Sequence, residues 1–587
     1  MKLSAFALDY DGTIAREGIF DADVRQAIAE VRRRGIVVIL VTGRRLAHLR
    51  QSAGDLNCFD MIVAENGAVL ESPATGRHAV VGHPPPALFL AALRQRSIPF
   101  DTGEIVVEAD ASHAPAILDA IRVLELPLML AFNRSRVMVL PPAISKSTGL
   151  RQALHTLRIS MHNTVGIGDA ENDHDLLDAC EAGAAVEWGS PALCAIADDI
   201  IRGVPVRAVA DYIRRVSRQP RLSAAQMGRR RLVLGHEHDG TAVSLAVRGR
   251  TIVVAGEPGT GKSWLAGLLC EQSILQGYAV CVVDPEGDYR TLETLPGVVV
   301  LGGDDPPPGP RELARTLAHP DVSAVIDLSR LSHQAKVDYV ERLMPMLAAL
   351  RRQTGLPHKI LLDEAHYFLR DVQHSRVIDP TLAGYIVVTY RLSSLDPSLR
   401  AMGDIVALVT RERDADEIEA IIAMCRPPNG AQVSGGVLGE LGTNEAALLP
   451  GAEEAAGRIR RFTMAPRLTE HVRHRTKYVD MPIAEGQAFV FNDRRPVLRI
   501  RSLKQFVDSL VDLPTSQLTG HLERHDFSRW LNDVFRDRPL AAHVAVLESR
   551  VALDDARMVL DAVVQAVQAR YDMAARADDG ARARGAA

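Results

Sequence analysis

The sequence predicts an α/β protein: two parallel-sheet domains in tandem, the first carrying an inserted α+β segment, followed by a small α+β and helical module. Three observations carry this. Short apolar runs alternate with amphipathic stretches over residues 1–215 and again over 234–465, the pattern of strands buried on both faces and joined by helices. The residues able to do chemistry fall just after those runs, where a parallel sheet places its functional loops. The two α/β parts share no repeat and carry different motifs.

Composition bounds the answer. Of 587 residues, 47% are hydrophobic and 24% charged, which suits a globular protein of about four domains. Lys and Arg total 68 against 73 Asp and Glu, a net charge of -5, which excludes a wholly basic nucleic-acid coat. Cys58, Cys180, Cys194, Cys270, Cys281 and Cys425 form no CxxC pair, so neither a zinc knuckle nor a disulfide framework is expected. Asp9 arrives too early for a signal peptide, and no apolar run reaches the roughly 18 residues of a membrane span. The expectation is a soluble, cytoplasmic protein with no membrane partner.

Along residues 1–215 the strand candidates are Ala5–Leu8, Ile36–Val41, Met61–Ala64 and Thr164–Ile167, with helical patterns at Asp23–Arg34 and Leu150–Leu157. An insertion spans about 73–141, with strands Ile105–Glu108 and Arg136–Leu140 around a helical run near His113–Leu124. An Arg-rich linker, 216–233, leads to a second series: Thr251–Ala255, Ala279–Val283, Ala324–Leu328, Lys359–Leu362, Tyr385–Thr389 and Ile405–Val409. A third module, 470–570, has strands Ala488–Phe491 and Val497–Ile500 before two helical runs. The Ala/Arg/Asp/Gly tail 571–587 reads as disordered. In the module, Asp526 reads as the N-cap of a packed helix beside His521 and His525.

Asp9 and Asp11, two residues apart at a strand end, suit different roles. Asp9 would attack phosphorus, and Asp11 would protonate the leaving group and then activate water. Charge compensation follows in chain order. Thr42, Gly43 and Arg44 offer a hydroxyl and backbone N–H groups to a phosphate, Lys146 offers a cation, and the segment Gly168–Asp173 offers hard oxygens for Mg2+. Each piece alone has a bland reading as a turn, cap or surface residue; the ordered set does not. With Ala64-Glu65-Asn66-Gly67-Ala68, residues 1–215 resemble the haloacid dehalogenase (HAD) superfamily, in particular its Cof-like and sucrose-phosphatase-like hydrolases. The resemblance implies a Rossmann-like HAD sheet with a substrate-selecting cap. Asp9 would be the nucleophile and Asp11 the acid/base, with Thr42 and Lys146 on the phosphoryl group. Asp9, Asp169 and the Asp11 carbonyl would hold Mg2+. Asp173 would steady Lys146 or the metal, and Asn172 would touch phosphate. The small cap is closer to archaeal phosphoglycolate phosphatases.

Gly256-Glu257-Pro258-Gly259-Thr260-Gly261-Lys262-Ser263 fits GxxxxGK[ST] between a strand and a helix. Its backbone N–H groups would wrap the phosphates of ATP, Lys262 would reach the β- and γ-phosphates, and Ser263 would ligate Mg2+. Asp363 and Glu364 close an apolar strand downstream, the first to hold magnesium through water and the second to polarise the attacking water. Together with Asp284-Pro-Glu-Gly-Asp-Tyr289 and Leu234-Gly-His-Glu-His-Asp-Gly240, residues 228–465 resemble HerA/FtsK-like P-loop ATPases. That resemblance implies a homo-oligomer, up to a hexameric ring, acting on DNA. Arg391, Arg411 and Arg413 are unranked candidates for an arginine completing a neighbour's site. The chain departs from the group at Val388-Thr389-Tyr390-Arg391, where such motors often carry Gln; Thr389 or Arg391 would sense the γ-phosphate. His236 and His238 read as turn residues.

The basic runs Arg32–Arg34, Arg229–Arg231 and Arg458–Arg461 read first as solvated faces, the last two as contacts to phosphate backbones if a ring places them in its channel. The favoured expectation is a phosphatase for a small phosphorylated metabolite joined to a regulatory or oligomerising ATPase. The alternatives are an ATP-driven assembly whose phosphatase trims nucleic-acid ends, and a nucleotide-switched scaffold. A polynucleotide kinase–phosphatase fits less well, because the long Lys262–Asp363 interval and its acid pair suit hydrolysis.

Overall fold

The computed structural model describes residues 2–219, 229–248, 250–369, 377–395, 405–424, 435–450, 458–470, 483, 485–491, 497–535, 537–551 and 555–571. The tail read as disordered lies almost wholly outside them. Among the described residues no helix is long and apolar enough to cross a membrane.

The first sheet has eight strands in the order Asp199–Ile201, Ala182–Val186, Thr164–Gly168, Ala5–Asp9, Val37–Val41, Met61–Ala64, Val69–Ser72, Arg77–Val80. The first six are parallel and the last two antiparallel. Ala5–Asp9 sits centrally and is buried along its length, because helices cover both faces. Phe6, Leu8, Val38 and Leu40 pack into one apolar cluster and Ala5, Ala7, Ile39 and Val41 into another. Every side chain of such a strand is inside, which is why it reads as an unbroken apolar run.

The hairpin 69–80 corrects one boundary. It belongs to the core sheet, so the cap begins after Val80 and not near Pro73. The cap is an antiparallel sheet, in the order Met129–Asn133, Arg136–Leu140, Val107–Asp110, Phe100–Thr102, backed by helices Ala87–Gln95 and Ala114–Val123.

The second sheet has eleven strands in the order Ala242–Ala246, Arg231–His236, Arg460–Met464, Glu445–Leu448, Ile405–Val409, Thr251–Ala255, Tyr385–Thr389, Lys359–Leu362, Val280–Asp284, Ser323–Asp327, Val298–Gly302. The seven from Ile405–Val409 onward are parallel; the four before them are antiparallel. One of these, Arg231–His236, starts inside the segment read as linker. The C-terminal module pairs Phe489–Phe491 with Leu498–Ile500 and, among the described residues, adds five helices rather than two runs. Phe489, Phe506, Phe527 and Trp530 form its core. Asp526 is the first residue of its helix, not the cap. Its carboxylate bonds His521 and Arg524, while Glu548 accepts the N–H groups of Phe527 and Ser528.

The two sheets meet back to back. Asn163 precedes Thr164–Gly168 and Glu181 precedes Ala182–Val186, at the amino ends of the first sheet. They face Tyr278 and His358, at the amino ends of Val280–Asp284 and Lys359–Leu362 in the second. Glu181 Oε2 accepts from Tyr278 OH at 2.9 Å and lies 2.9 Å from His162 Nδ1, and Glu181 Oε1 lies 3.0 Å from Arg248 Nε. His162 stacks on Tyr278 with ring centroids 3.7 Å apart, and its Nε2 lies 2.8 Å from the Gln276 carbonyl. His358 Nδ1 accepts the Ala279 N–H, leaving Nε2 to donate to Asn163 Oδ1 at 2.9 Å. Arg229 and Arg230 donate to the carbonyls that end helix His174–Ala179, at Leu177, Asp178, Ala179 and Cys180, the favoured place for a cation. Functional loops sit at the carboxyl ends of parallel strands, so the two candidate sites open in opposite directions.

Candidate phosphatase and nucleotide sites

The first site is assembled from three strand ends and one helix start. Ser145 caps helix Lys146–Thr156, which fixes Lys146 at its first position and turns Nζ inward. Lys146 Nζ donates to Asp9 Oδ1 and to Asp173 Oδ1, both at 2.6 Å, and is 1% exposed. Asp173 Oδ2 accepts the N–H groups of Asp169 and Ala170, each at 3.0 Å. Carboxylate oxygens of Asp9, Asp169 and Asp173 lie within 4.8 Å of one another. Both oxygens of Asp173 are thus engaged in holding Lys146 and the loop. Asp169 Oδ1, by contrast, is buried with no hydrogen-bond partner, and such an atom fits a bound cation.

The electrostatics agree with that fit. Burial, then the Asp173 charge, push Asp9 well above the usual carboxylate range, against the pull of Lys146. The same two causes raise Asp169 to about 6, opposed by Arg134. Lys146 is held protonated, the two aspartates outweighing its burial. A divalent cation needs Asp169 ionised, so it competes with a proton there. Apparent Mg2+ affinity is expected to fall about tenfold for each pH unit below 6, read from Mg2+ activation curves at pH 5 and 7.5. A flat dependence would mean that Asp169 does not hold the metal.

Asp11 is gripped by Arg44, whose Nε and Nη2 each lie 2.6 Å from one of its oxygens. Thr42 is buried, and its hydroxyl accepts the Arg44 N–H. Gly43 and Asn172 come together: a Cβ on Gly43 would sit 3.4 Å from Asn172 Nδ2 and from Met138 Sδ of the cap. Gly12 has φ +80°, and a Cβ there would collide with the Asp169 carboxylate and lie 2.7 Å from Arg134 Nη2. Sequence reasoning missed four contributors. They are Arg44 as holder of Asp11; Arg134, paired with Asp169 from the cap; Trp188, whose indole N–H donates to the Gly12 carbonyl; and the role of Glu65, which entered only as part of a motif. The Glu65 carboxylate accepts the N–H groups of Glu104, Ile105 and Val106 and so ties the cap to the core.

At the second site the loop from Gly256 to Gly261 joins strand Thr251–Ala255 to helix Lys262–Leu275. A Cβ on Gly256, at φ +141°, would collide with the Thr410 hydroxyl. Thr260 Oγ1 bonds the Glu257 carbonyl and Thr410 Oγ1, both at 2.7 Å, and Lys262 Nζ bonds the Glu257 carbonyl at 2.8 Å. Pro258 and Gly259 complete the loop, and Ser263 follows Lys262 on the helix. Strand Tyr385–Thr389 separates the loop's strand from Lys359–Leu362, which delivers Asp363 and Glu364, both buried. His366 lies 3.5 Å from Glu364 Oε2 and 3.3 Å from Thr389 Oγ1. Thr389 therefore reaches the acid pair through His366, a residue the sequence reading passed over. Arg411 faces Glu257 at 3.5 Å, Arg413 faces the Gly439 carbonyl, and Arg391 covers the Tyr390 ring.

Residues 6–80 and 101–213 match the family of haloacid dehalogenase-like hydrolases, and residues 236–372 match the central domain of helicase HerA. A phosphoglycolate phosphatase of Methanothermobacter thermautotrophicus is 26% identical over 222 residues, 36% of this chain and 98% of its own. One of Archaeoglobus fulgidus is 24% identical over 195 residues, 32% of this chain and 84% of its own. A solved haloacid dehalogenase-like hydrolase from Bacteroides thetaiotaomicron aligns over 37% of this chain and 100% of its own, at 16% identity and a TM-score of 0.32. One polypeptide thus joins a segment similar to haloacid dehalogenase-like hydrolases to a segment similar to the central domain of helicase HerA.

Proposed function

We propose that the chain is a Mg2+-dependent phosphatase for a small phosphorylated metabolite, of sugar phosphate or phosphoglycolate type, whose second domain binds and hydrolyses ATP and assembles the chain into an oligomer. The observation that carries the first part is Lys146, clamped between Asp9 and Asp173 beside the bare oxygen of Asp169. The names of the archaeal relatives support the substrate class.

Asp9 attacks phosphorus and its Oδ–P bond forms as the ester P–O bond breaks, while Asp11 gives its proton to the departing oxygen. Water, deprotonated by Asp11, then attacks the aspartyl-phosphate, freeing inorganic phosphate and restoring Asp9. Arg44 holds both Asp11 oxygens, so one of its two hydrogen bonds opens whenever Asp11 carries the proton. Lys146, the Thr42 hydroxyl and the Gly43 N–H face the phosphoryl oxygens, with Asn172 beside them. Mg2+, held by Asp9, Asp169 and the Asp11 carbonyl, would offset the negative charge that otherwise keeps two anions apart.

In the second domain, the 256–263 loop would hold the phosphates of ATP with Lys262 reaching them, Ser263 and Asp363 would hold a Mg2+ that offsets their charge, and Glu364 would orient water. Lys262→Ala is expected to weaken ATP binding by about a hundredfold. Glu364→Gln should keep binding but lose about a hundredfold in hydrolysis. Fluorescent-nucleotide titration and phosphate release separate the two. Equal hydrolysis by wild type and Glu364→Gln would leave a nucleotide-switched scaffold.

The HerA match favours a second reading, an ATP-driven assembly on DNA with a phosphatase for strand ends. Against it, the arginines proposed to meet the backbone are engaged within the chain: Arg229 and Arg230 as above, Arg458 and Arg460 on Glu237, and Arg461 on Glu445. The deciding experiment is Mg2+-dependent phosphate release without ATP. Its panel is sugar phosphates, phosphoglycolate, nucleotides and phosphorylated oligonucleotides, with Asp9→Asn as control. Preference for a small ester upholds the first reading; preference for oligonucleotide ends upholds the second.

A further inference from the structure

Among the described residues, the other cations around the phosphatase site pair with carboxylates other than Asp169. Lys146 holds Asp9 and Asp173, Arg44 holds Asp11, Arg45 faces Asp101, and Arg136 holds Glu108. Arg134 differs. It rises from the tip of the cap hairpin formed by Met129–Asn133 and Arg136–Leu140, and its ion-pair partner is Asp169, a residue that fits a metal. A bound divalent cation takes over that carboxylate and leaves the guanidinium to find another anion. Its side chain is 60% exposed, so leaving costs little. Beside it the cap offers an apolar floor, Ala131 and Met138, with Met138 against Gly43.

We propose that Arg134 is a specificity-determining residue: it binds an anionic group on the leaving group of the substrate, seated over Met138. This rests on the phosphatase reading above. It narrows the substrate class to phosphomonoesters that carry a second anion, a carboxylate or a phosphate, a few bonds beyond the ester oxygen. A planar guanidinium pairs with either through two parallel hydrogen bonds.

The test compares wild type, Arg134→Ala, Arg134→Lys and, as a cap charge control, Arg96→Ala. Their substrates are 2-phosphoglycolate, ethanediol bisphosphate and ethyl phosphate at saturating Mg2+. Arg134→Ala is expected to raise KM for one or both doubly charged esters about 30-fold. Its kcat, and its KM for ethyl phosphate, should stay within about threefold, and Arg134→Lys should fall between. The substrate that suffers tells carboxylate from phosphate. An equal loss on ethyl phosphate would assign Arg134 to the phosphoryl group or the metal instead. No loss at all would mean that the freed guanidinium turns elsewhere, for instance to Glu171, whose carboxylate already accepts the Arg134 N–H; either result overturns the proposal. Calorimetric titration of the same esters into Asp9→Asn, with and without Arg134→Ala, keeps the two readings apart. A chain that hydrolyses nothing refutes the phosphatase, while binding that prefers the charged esters only when Arg134 is present still upholds its role, and binding without that preference overturns it.

Discussion

Lys146→Met is expected to lower phosphate release by about three orders of magnitude and to move the remaining activity to higher pH. The ammonium lies 2.6 Å from both Asp9 and Asp173, and all three groups are buried. Without it, buried carboxylates face one another, and one of them takes a proton. Asp9 is already raised by burial and by Asp173, and Lys146 is the group holding it down. Its pKa therefore rises further in the variant, and the ionised nucleophile forms only at higher pH. Breaking a buried pair of this kind also costs about 3–5 kcal/mol, part of which Mg2+ should restore by supplying the missing charge. Lys146→Arg keeps the charge but not the compact fit, and should recover stability more than turnover. The pH–rate profile and the melting temperature with and without Mg2+ check this. A profile that stays in place while kcat falls would show that Lys146 serves the phosphoryl group alone.

Both nucleotide and phosphatase motifs were legible because each follows a strand buried on both faces. Thr251–Ala255, Lys359–Leu362 and Met61–Ala64 end where their apolar runs end, so the residues next in line had to lie on the functional edge. What stayed hidden depends on contacts between distant segments. Arg134 lies 35 residues from Asp169 and on a different sheet, and an arginine in a hairpin turn carries no sign of where it reaches. Arg229 and Arg230 read as a solvated face, or as a backbone contact within a ring, because a basic run does not show which carbonyls it meets. The edge hairpin 69–80 was missed because its second strand is exposed throughout and carries no apolar alternation. Glu181 and His162 gave no signal, since a lone Glu or His before a strand is ordinarily a surface residue.

Glu181→Ala is expected to separate the two domains thermodynamically. The carboxylate is 2% exposed and faces Arg248, His162 and Tyr278. Burial alone would raise its pKa, but Arg248 and the His162 hydrogen bond outweigh it and hold the group at about 2. A folded pKa below the unfolded value of about 4.3 stabilises the native state at neutral pH. That contribution, about 3 kcal/mol, is lost as pH falls from about 4 towards 2. Removing the carboxylate leaves Arg248 buried and uncompensated, a cost of about 3–5 kcal/mol. The two domains, expected to melt in one calorimetric transition in the wild type, should then melt in two. The same contact decides whether the sites communicate. Helix Lys262–Leu275 starts at the nucleotide loop and ends beside Gln276, whose carbonyl meets His162. From there Asn163 leads into strand Thr164–Gly168 and on to Asp169. This contact gives binding energy at the loop a route to the first site, although the sites open away from each other. A non-hydrolysable ATP analogue should raise the melting temperature of both domains together in the wild type, but only that of the second domain in Glu181→Ala. If the analogue stabilises the N-terminal domain equally in the two proteins, coupling runs by another route.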